Sequence, residues 1–291
     1  MLKRVAILAN GGDVSGFNAV IRAIVKTAEE NNIEVLGFID GYNGLLHNNF
    51  VKLSTKDNAS GILQKGGSII GSSLNANVFN YKVVDENGNV TYQDLSEKCV
   101  QNVKEDGNDC IFTLGGDSTQ KSARDFTQRG LKVIGVPKTI DNDLIHTDHT
   151  PGFGSAARYV ASTVREITID ANVYEKKSVT IIEIMGRHAG WLTAASALAR
   201  KYTGDNPLLI YLPETAFDQE EFLKAVEKSF EKNCNVIVCV SEGIHDDKGT
   251  FICEYDNSVG TDTFGHKMLA GCGKYLENLV RNRLGVKARS V

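Results

Sequence analysis

Four prolines and one tryptophan are all that the 291 residues contain. With no Pro/Ser-rich run and no low-complexity segment, there is no material for a stiff linker, and any domain boundary is expected in a plain loop. No apolar stretch approaches the roughly 20 residues that a membrane-spanning helix needs. The apolar run 5–9 ends in Asn10-Gly11-Gly12-Asp13 without a cleavage-like site, so it reads as a strand and not as a signal peptide. Six cysteines form no Cys-x-x-Cys pair, and Cys110 and Cys239 sit inside apolar runs. They read as reduced core residues and not as disulfides or metal ligands, which leads us to expect a cytoplasmic location. The six histidines have no metal-ligand spacing, and the absence of Gly-x₄-Gly-Lys-Ser/Thr excludes a P-loop. A formal net charge of −4 supplies no overall field for nucleic acid. Neither a nucleic acid nor a membrane is expected as partner, and an anionic ligand must meet local donors.

What is present is globular composition, 42% hydrophobic and 23% charged, at a length that suits about two domains. Short apolar, often β-branched runs at 5–9, 35–39, 110–114, 133–136, 179–184, 208–212 and 236–240 predict buried strands. Helical patterns occupy 16–30, 95–105, 119–128, 154–172, 188–200, 219–232 and 263–284. The alternation predicts an α/β fold with mostly parallel sheets covered on both faces. The polar stretch Ile145-His146-Thr147-Asp148-His149-Thr150 is the expected crossing point, dividing the chain into domains 1–150 and 151–291. Residues 79–93, with Asp85-Glu86-Asn87-Gly88-Asn89 at the tip, read as a hairpin excursion.

In open parallel sheets, ligands bind beyond the C-terminal ends of the strands. Two such ends carry Gly-Gly-Asp before a helix: Gly11-Gly12-Asp13 and Gly115-Gly116-Asp117. Glycine lets backbone N–H groups approach an anion, and the helix start favours negative charge. The carboxylate can hold Mg²⁺ that in turn holds phosphate. Alone, each motif also suits a tight strand-to-helix turn. The densest cluster is Pro137-Lys138-Thr139-Ile140-Asp141-Asn142-Asp143. Two carboxylates beside a lysine and a hydroxyl suit phosphoryl transfer: one deprotonates an alcohol, another supports Mg²⁺, and the ammonium balances charge on the transferring group. Met185-Gly186-Arg187 and Glu242, each after a strand, offer a guanidinium for phosphate and an acceptor for a hydroxyl. The stretch Gly152-Phe153-Gly154-Ser155-Ala156-Ala157 matches a dinucleotide fingerprint, but it follows polar residues where that motif needs a strand.

Taken in order along essentially the whole chain, Gly11-Gly12-Asp13, Gly115-Gly116-Asp117-Ser118-Thr119, residues 137–143, Met185-Gly186-Arg187, Pro213-Glu214 and Ser241-Glu242 resemble the glycolytic phosphofructokinases. The resemblance implies two three-layer Rossmann-like domains facing a central cleft, with the donor and Mg²⁺ on the first and fructose 6-phosphate on the second. It implies Asp141 as general base toward O1 of the sugar, assisted by Lys138, with Asp117 as metal carboxylate and Asp143 in support. Gly11, Gly12, Gly116 and Ser118 correspond to the donor side. Thr139, Asp141, Met185, Gly186, Arg187 and Glu242 correspond to the sugar side. A homo-oligomer is expected.

ATP-using branches of this family typically have small residues at the positions of Ser118 and Lys138, and pyrophosphate-using branches have Asp and Lys. The pair here is mixed. Lys138 and the stretches 147–157 and 179–191 look most like the pyrophosphate branch, so pyrophosphate is the favoured donor and ATP the alternative. Gly71-Ser72-Ser73-Leu74 lacks the arginine that often follows this Gly-Ser, and Ser178, beside Lys176 and Lys177, stands where many relatives have another. The last residues, Arg289-Ser290-Val291, read as part of a strand, and relatives continue into a segment that completes the sugar-phosphate pocket. An NAD-linked oxidoreductase and a non-catalytic sugar-phosphate-binding protein are the rival classes. The first needs a strand before Gly152, and the second does not need Asp117, Asp141 and Asp143 together.

Overall fold

The computed structural model describes residues 2–74, 77–84, 88–255 and 271–291. The chain forms two compact units, Met1–Thr139 and Ile140–Val291. The division falls upstream of the expected 150/151 because the loop after Thr139 already belongs to the second unit. The Ile140 side chain packs on that unit's core, and the Asn142 side chain closes the loop by accepting from the Thr150 N–H at 2.9 Å and donating to the Asp148 carbonyl at 3.2 Å.

In the first unit the order is β1 (Arg4–Ala9), α1 (Phe17–Glu30), β2 (Glu34–Phe38), α2 (Tyr42–His47), β3 (Phe50–Leu53), β4 (Tyr81–Val84), β5 (Val90–Gln93), α3 (Ser96–Glu105), β6 (Cys110–Gly115), α4 (Asp117–Gln128) and β7 (Val133–Pro137). The main sheet has the order β3-β2-β1-β6-β7, with only β3 antiparallel to its neighbour. β1 is an unbroken apolar run because both of its faces are covered. Val5, Ile7 and Ala9 meet Phe17, Ile21 and Val25 of α1, while Ala6 and Leu8 meet Leu45, Leu46, Val103 and Phe126. Residues 17, 21, 25 and 28, spaced four, four and three apart, make the stripe by which α1 docks, each large side chain contributing about 1.5–3 kcal/mol. β4 and β5 form the expected hairpin; its tip residues Asp85, Glu86 and Asn87 lie outside the described residues.

The second unit contains α5 (Phe153–Ala171), β8 (Ser178–Ile184), α6 (Trp191–Ala195), β9 (Leu209–Tyr211), α7 (Gln219–Ser229), β10 (Asn235–Ser241), α8 (Cys272–Leu284) and β11 (Lys287–Ser290). Its sheet is parallel throughout, in the order β11-β8-β10-β9. Val179, Ile181, Val236, Val238 and Val240 pack against α7 and α8, and Ile182, Ile184, Ile237 and Cys239 against Val164 and Leu192. The helix expected over 188–200 is shorter. It starts at Trp191 and passes into a 3₁₀ turn at Ser196–Ala199, because Gly190 is held at its start by a neighbouring carboxylate. Of the helix expected over 263–284, the part before residue 271 lies outside the described residues. All six cysteines are free; five are buried and Cys234 is exposed, against its expected place in the core. Burial pushes the Cys99 thiol up to about 12 and those of Cys239 and Cys253 to about 11, which keeps them protonated and inert.

Candidate active site

Parallel register sets the candidate residues of the first unit. Ala9 pairs with Leu114 and Gly115 with Pro137, so the residues after β1, β6 and β7 emerge side by side at one sheet edge. Gly115 has no room for a side chain: an added Cβ would lie 2.3 Å from both the Asn10 carbonyl oxygen and the Thr119 hydroxyl. Gly11 has a left-handed φ of +97°. Its N–H donates to the Ser73 carbonyl at 2.9 Å, and its own carbonyl accepts from the Ser72 hydroxyl at 2.6 Å.

Lys138 is 7% exposed. A buried ammonium must be hydrogen-bonded. Its Nζ donates to the Gly12 carbonyl at 2.7 Å and stands 5.9 Å from the centroid of the Phe17 ring. Its backbone N–H donates to the Gly115 carbonyl at 3.0 Å. Lys138 therefore joins all three strand ends. Gly116 precedes the first helical residue of α4, Asp117, and Ser118 is half-buried behind it. The Asp117 carboxylate is exposed and meets Lys121 at 2.6 Å one turn later, a surface pair too weak to hold it fixed.

The second unit contributes a separate set of strand ends. Asp141 is half-buried and Asp143 exposed in the loop closed by Asn142, and Thr139 is the last residue of the first unit. Ser241 pairs with Ile184, which brings the residues after β8 and β10 together. Gly186, at φ +134°, would place an added Cβ 2.4 Å from the Ala189 carbonyl oxygen. Its N–H donates to the Glu242 carboxylate at 3.2 Å, and its carbonyl accepts from the Ser241 hydroxyl. At Gly243 a Cβ would lie 1.9 Å from the Arg187 carbonyl oxygen, so the Arg187 backbone runs directly over this glycine. Met185 is exposed and Arg187 half-buried.

The structure thus gathers Gly11, Gly12, Gly116 and Lys138 in one unit, and Met185, Gly186, Arg187 and Glu242 in the other. The Glu214 of Pro213-Glu214 acts locally, its carboxylate accepting from the Gly190 N–H at 2.7 Å and so starting α6. Three residues were missed. Asn142 and Ser72 stand inside quoted motifs, but their partners are set by the fold. Glu183 on β8 accepts from the N–H groups of Gly271 at 2.9 Å and Gly273 at 2.8 Å, capping α8, whose own first turn carries no acid. Gly273 was the available signal, since an added Cβ there would lie 3.0 Å from Glu183 Oε2. The stretch before Gly152 is loop, so α5 does not open a strand–glycine–helix unit and the dinucleotide fingerprint fails its structural requirement.

The phosphofructokinase family model matches residues 4–291. The chain is 42% identical over 244 residues to ATP-dependent 6-phosphofructokinase 2 of Clostridium perfringens, covering 83% of this chain and 64% of that protein. It is 36% identical over 289 residues to the pyrophosphate–fructose 6-phosphate 1-phosphotransferase of Amycolatopsis methanolica, covering 99% of this chain and 78% of that one. Among solved structures, pyrophosphate-dependent phosphofructokinase from Marinobacter aquaeolei superposes with a TM-score of 0.75 at 26% identity, over 100% of this chain and 68% of its own. With that match across nearly every residue, the chain belongs to the phosphofructokinase family.

Proposed function

We propose that this protein transfers the γ-phosphoryl group of ATP to O1 of fructose 6-phosphate, forming fructose 1,6-bisphosphate and ADP. The observation that carries the reading is the meeting of Gly11-Gly12, Gly116-Asp117 and Lys138 at one sheet edge. Backbone donors, a carboxylate at a helix start and an ammonium are what a polyphosphate requires there. Asp141 takes the O1 proton as O1 attacks phosphorus, and the bond to the leaving phosphate oxygen breaks. Arg187 and Glu242 bind the sugar phosphate through charge and hydroxyl contacts. By the family resemblance, Thr139, Met185 and Gly186 also belong to sugar binding.

Asp117 fits a magnesium role: it is exposed, free of a strong ion pair, and a single carboxylate suffices where the substrate's phosphates complete the coordination. Asp143 supports it. When bound, Mg²⁺ neutralises charge on the donor phosphates.

ATP is supported by the neutral Ser118, which sets no carboxylate against a nucleotide phosphate, and by the ATP-dependent relative at 42% identity. Pyrophosphate, the donor favoured by sequence, is the second reading. It is supported by the buried Lys138 and by the relative from Amycolatopsis methanolica. Initial rates with fructose 6-phosphate and each magnesium-loaded donor test the proposal. Product from ATP at the higher kcat/KM supports the first reading, a pyrophosphate preference the second, and no product from either defeats both.

A further inference from the structure

We propose that Ser72 is a positioning residue for the donor side of the site: with Lys138 it fixes two successive peptide planes so that the N–H groups of Gly12 and Asp13 face the donor phosphates. The inference rests on the donor reading given above. In a trans peptide the carbonyl and the following N–H point in opposite directions. The Ser72 hydroxyl holds the Gly11 carbonyl at 2.6 Å, so the Gly12 N–H points away from Ser72. Lys138 holds the Gly12 carbonyl at 2.7 Å, so the Asp13 N–H points away from Lys138. The Gly11 N–H is engaged with the Ser73 carbonyl, which leaves the next two amides as the loop's anion donors. Left-handed φ values of +97° at Gly11 and +49° at Asp13 bend the chain in the manner of an anion-binding nest.

The fold aims Ser72 at the Gly11 carbonyl. Gly71, at φ +68°, turns so tightly that an added Cβ would lie 2.2 Å from Asp40 Oδ1. On the other side Ser73 is buried, bridges to Asn10 and accepts from the Asn43 amide at 3.2 Å. Ser72 is held between these two fixed points while half-buried itself. Losing its hydroxyl removes no core contact and frees one peptide plane.

The test is calorimetric titration of magnesium ATP, magnesium pyrophosphate and fructose 6-phosphate into the full-length wild type, Ser72→Ala and Ser72→Thr. A net hydrogen bond of about 0.5–1.5 kcal/mol corresponds to about a two- to twelvefold change. Ser72→Ala is expected to bind donor about three- to tenfold more weakly with fructose 6-phosphate affinity unchanged, and Ser72→Thr to restore wild-type binding. Should Ser72→Ala not fold, Ser72→Cys, a poor donor of similar size, carries the same comparison. Donor binding equal to wild type, or donor and sugar weakened alike, overturns the inference while leaving the donor reading intact. A wild type that binds neither donor removes the reading and the inference together.

Discussion

Glu277 on α8 is 5% exposed, and its carboxylate collects four bonds. Ser290 of β11 donates its hydroxyl at 2.7 Å and its N–H at 3.1 Å, Lys274 donates at 2.9 Å and Arg281 at 2.5 Å. These donors hold the carboxyl down from 4.5 to about 2. At about 1.4 kcal/mol per unit, that depression corresponds to about 3 kcal/mol of folding stability. Lys274 and Arg281 are 58% and 53% exposed, so solvent screens their share and about 2 kcal/mol is the better expectation. The folded value is the lower one, so this stability is complete above about pH 4.5 and is lost as pH falls toward 2. Urea unfolding of wild type and Glu277→Gln should differ by about 2 kcal/mol at pH 7, and the gap should shrink by about half at pH 3.5. A gap that stays constant between these pH values would mean that the charge on Glu277 does not tie β11 to α8.

Asp141→Ser should lower kcat by about 10²–10⁴-fold while fructose 6-phosphate affinity changes little, because a general base acts in the transition state; near-normal turnover removes Asp141 from that role. Gly186→Ala forces a Cβ to within 2.4 Å of the Ala189 carbonyl at a φ that side chains rarely adopt. The strain of about 1–3 kcal/mol should displace the Arg187 turn and raise KM for fructose 6-phosphate about tenfold, and an unchanged KM would show that the turn does not set sugar binding. Lys138→Gly takes the ammonium from the Gly12 carbonyl, so kcat/KM should fall by about 10²-fold with ATP and with pyrophosphate alike. A variant that loses pyrophosphate use alone would make Lys138 a donor gate and not an anchor of the loop.

Strands buried on both faces were legible in the sequence. β1 and β10 carry unbroken apolar runs at 5–9 and 236–240, and the runs 110–114 of β6 and 179–184 of β8 are apolar apart from Thr113, Thr180 and Glu183, because parallel sheets with two covered faces demand such strands. β3 was not, since Phe50-Val51-Lys52-Leu53 is an exposed antiparallel edge with only Leu53 buried. The motifs at strand ends were legible through residue type and spacing. Their partners were not, because each is chosen by the fold across a long separation. Lys138 reaches a carbonyl 126 positions away, Ser72 one 61 away, and Glu183 caps a helix 88 and 90 positions on. Local pattern names the group that carries the charge; only the folded chain names the group that it meets.

The most direct test is to incubate the full-length protein with fructose 6-phosphate and magnesium ATP and follow the products by phosphorus-31 NMR, alongside Asp141→Ser. The account predicts stoichiometric fructose 1,6-bisphosphate and ADP from wild type, and about 10²–10⁴-fold less from the variant. A folded wild type that binds fructose 6-phosphate yet forms no bisphosphate from ATP or from pyrophosphate would contradict it.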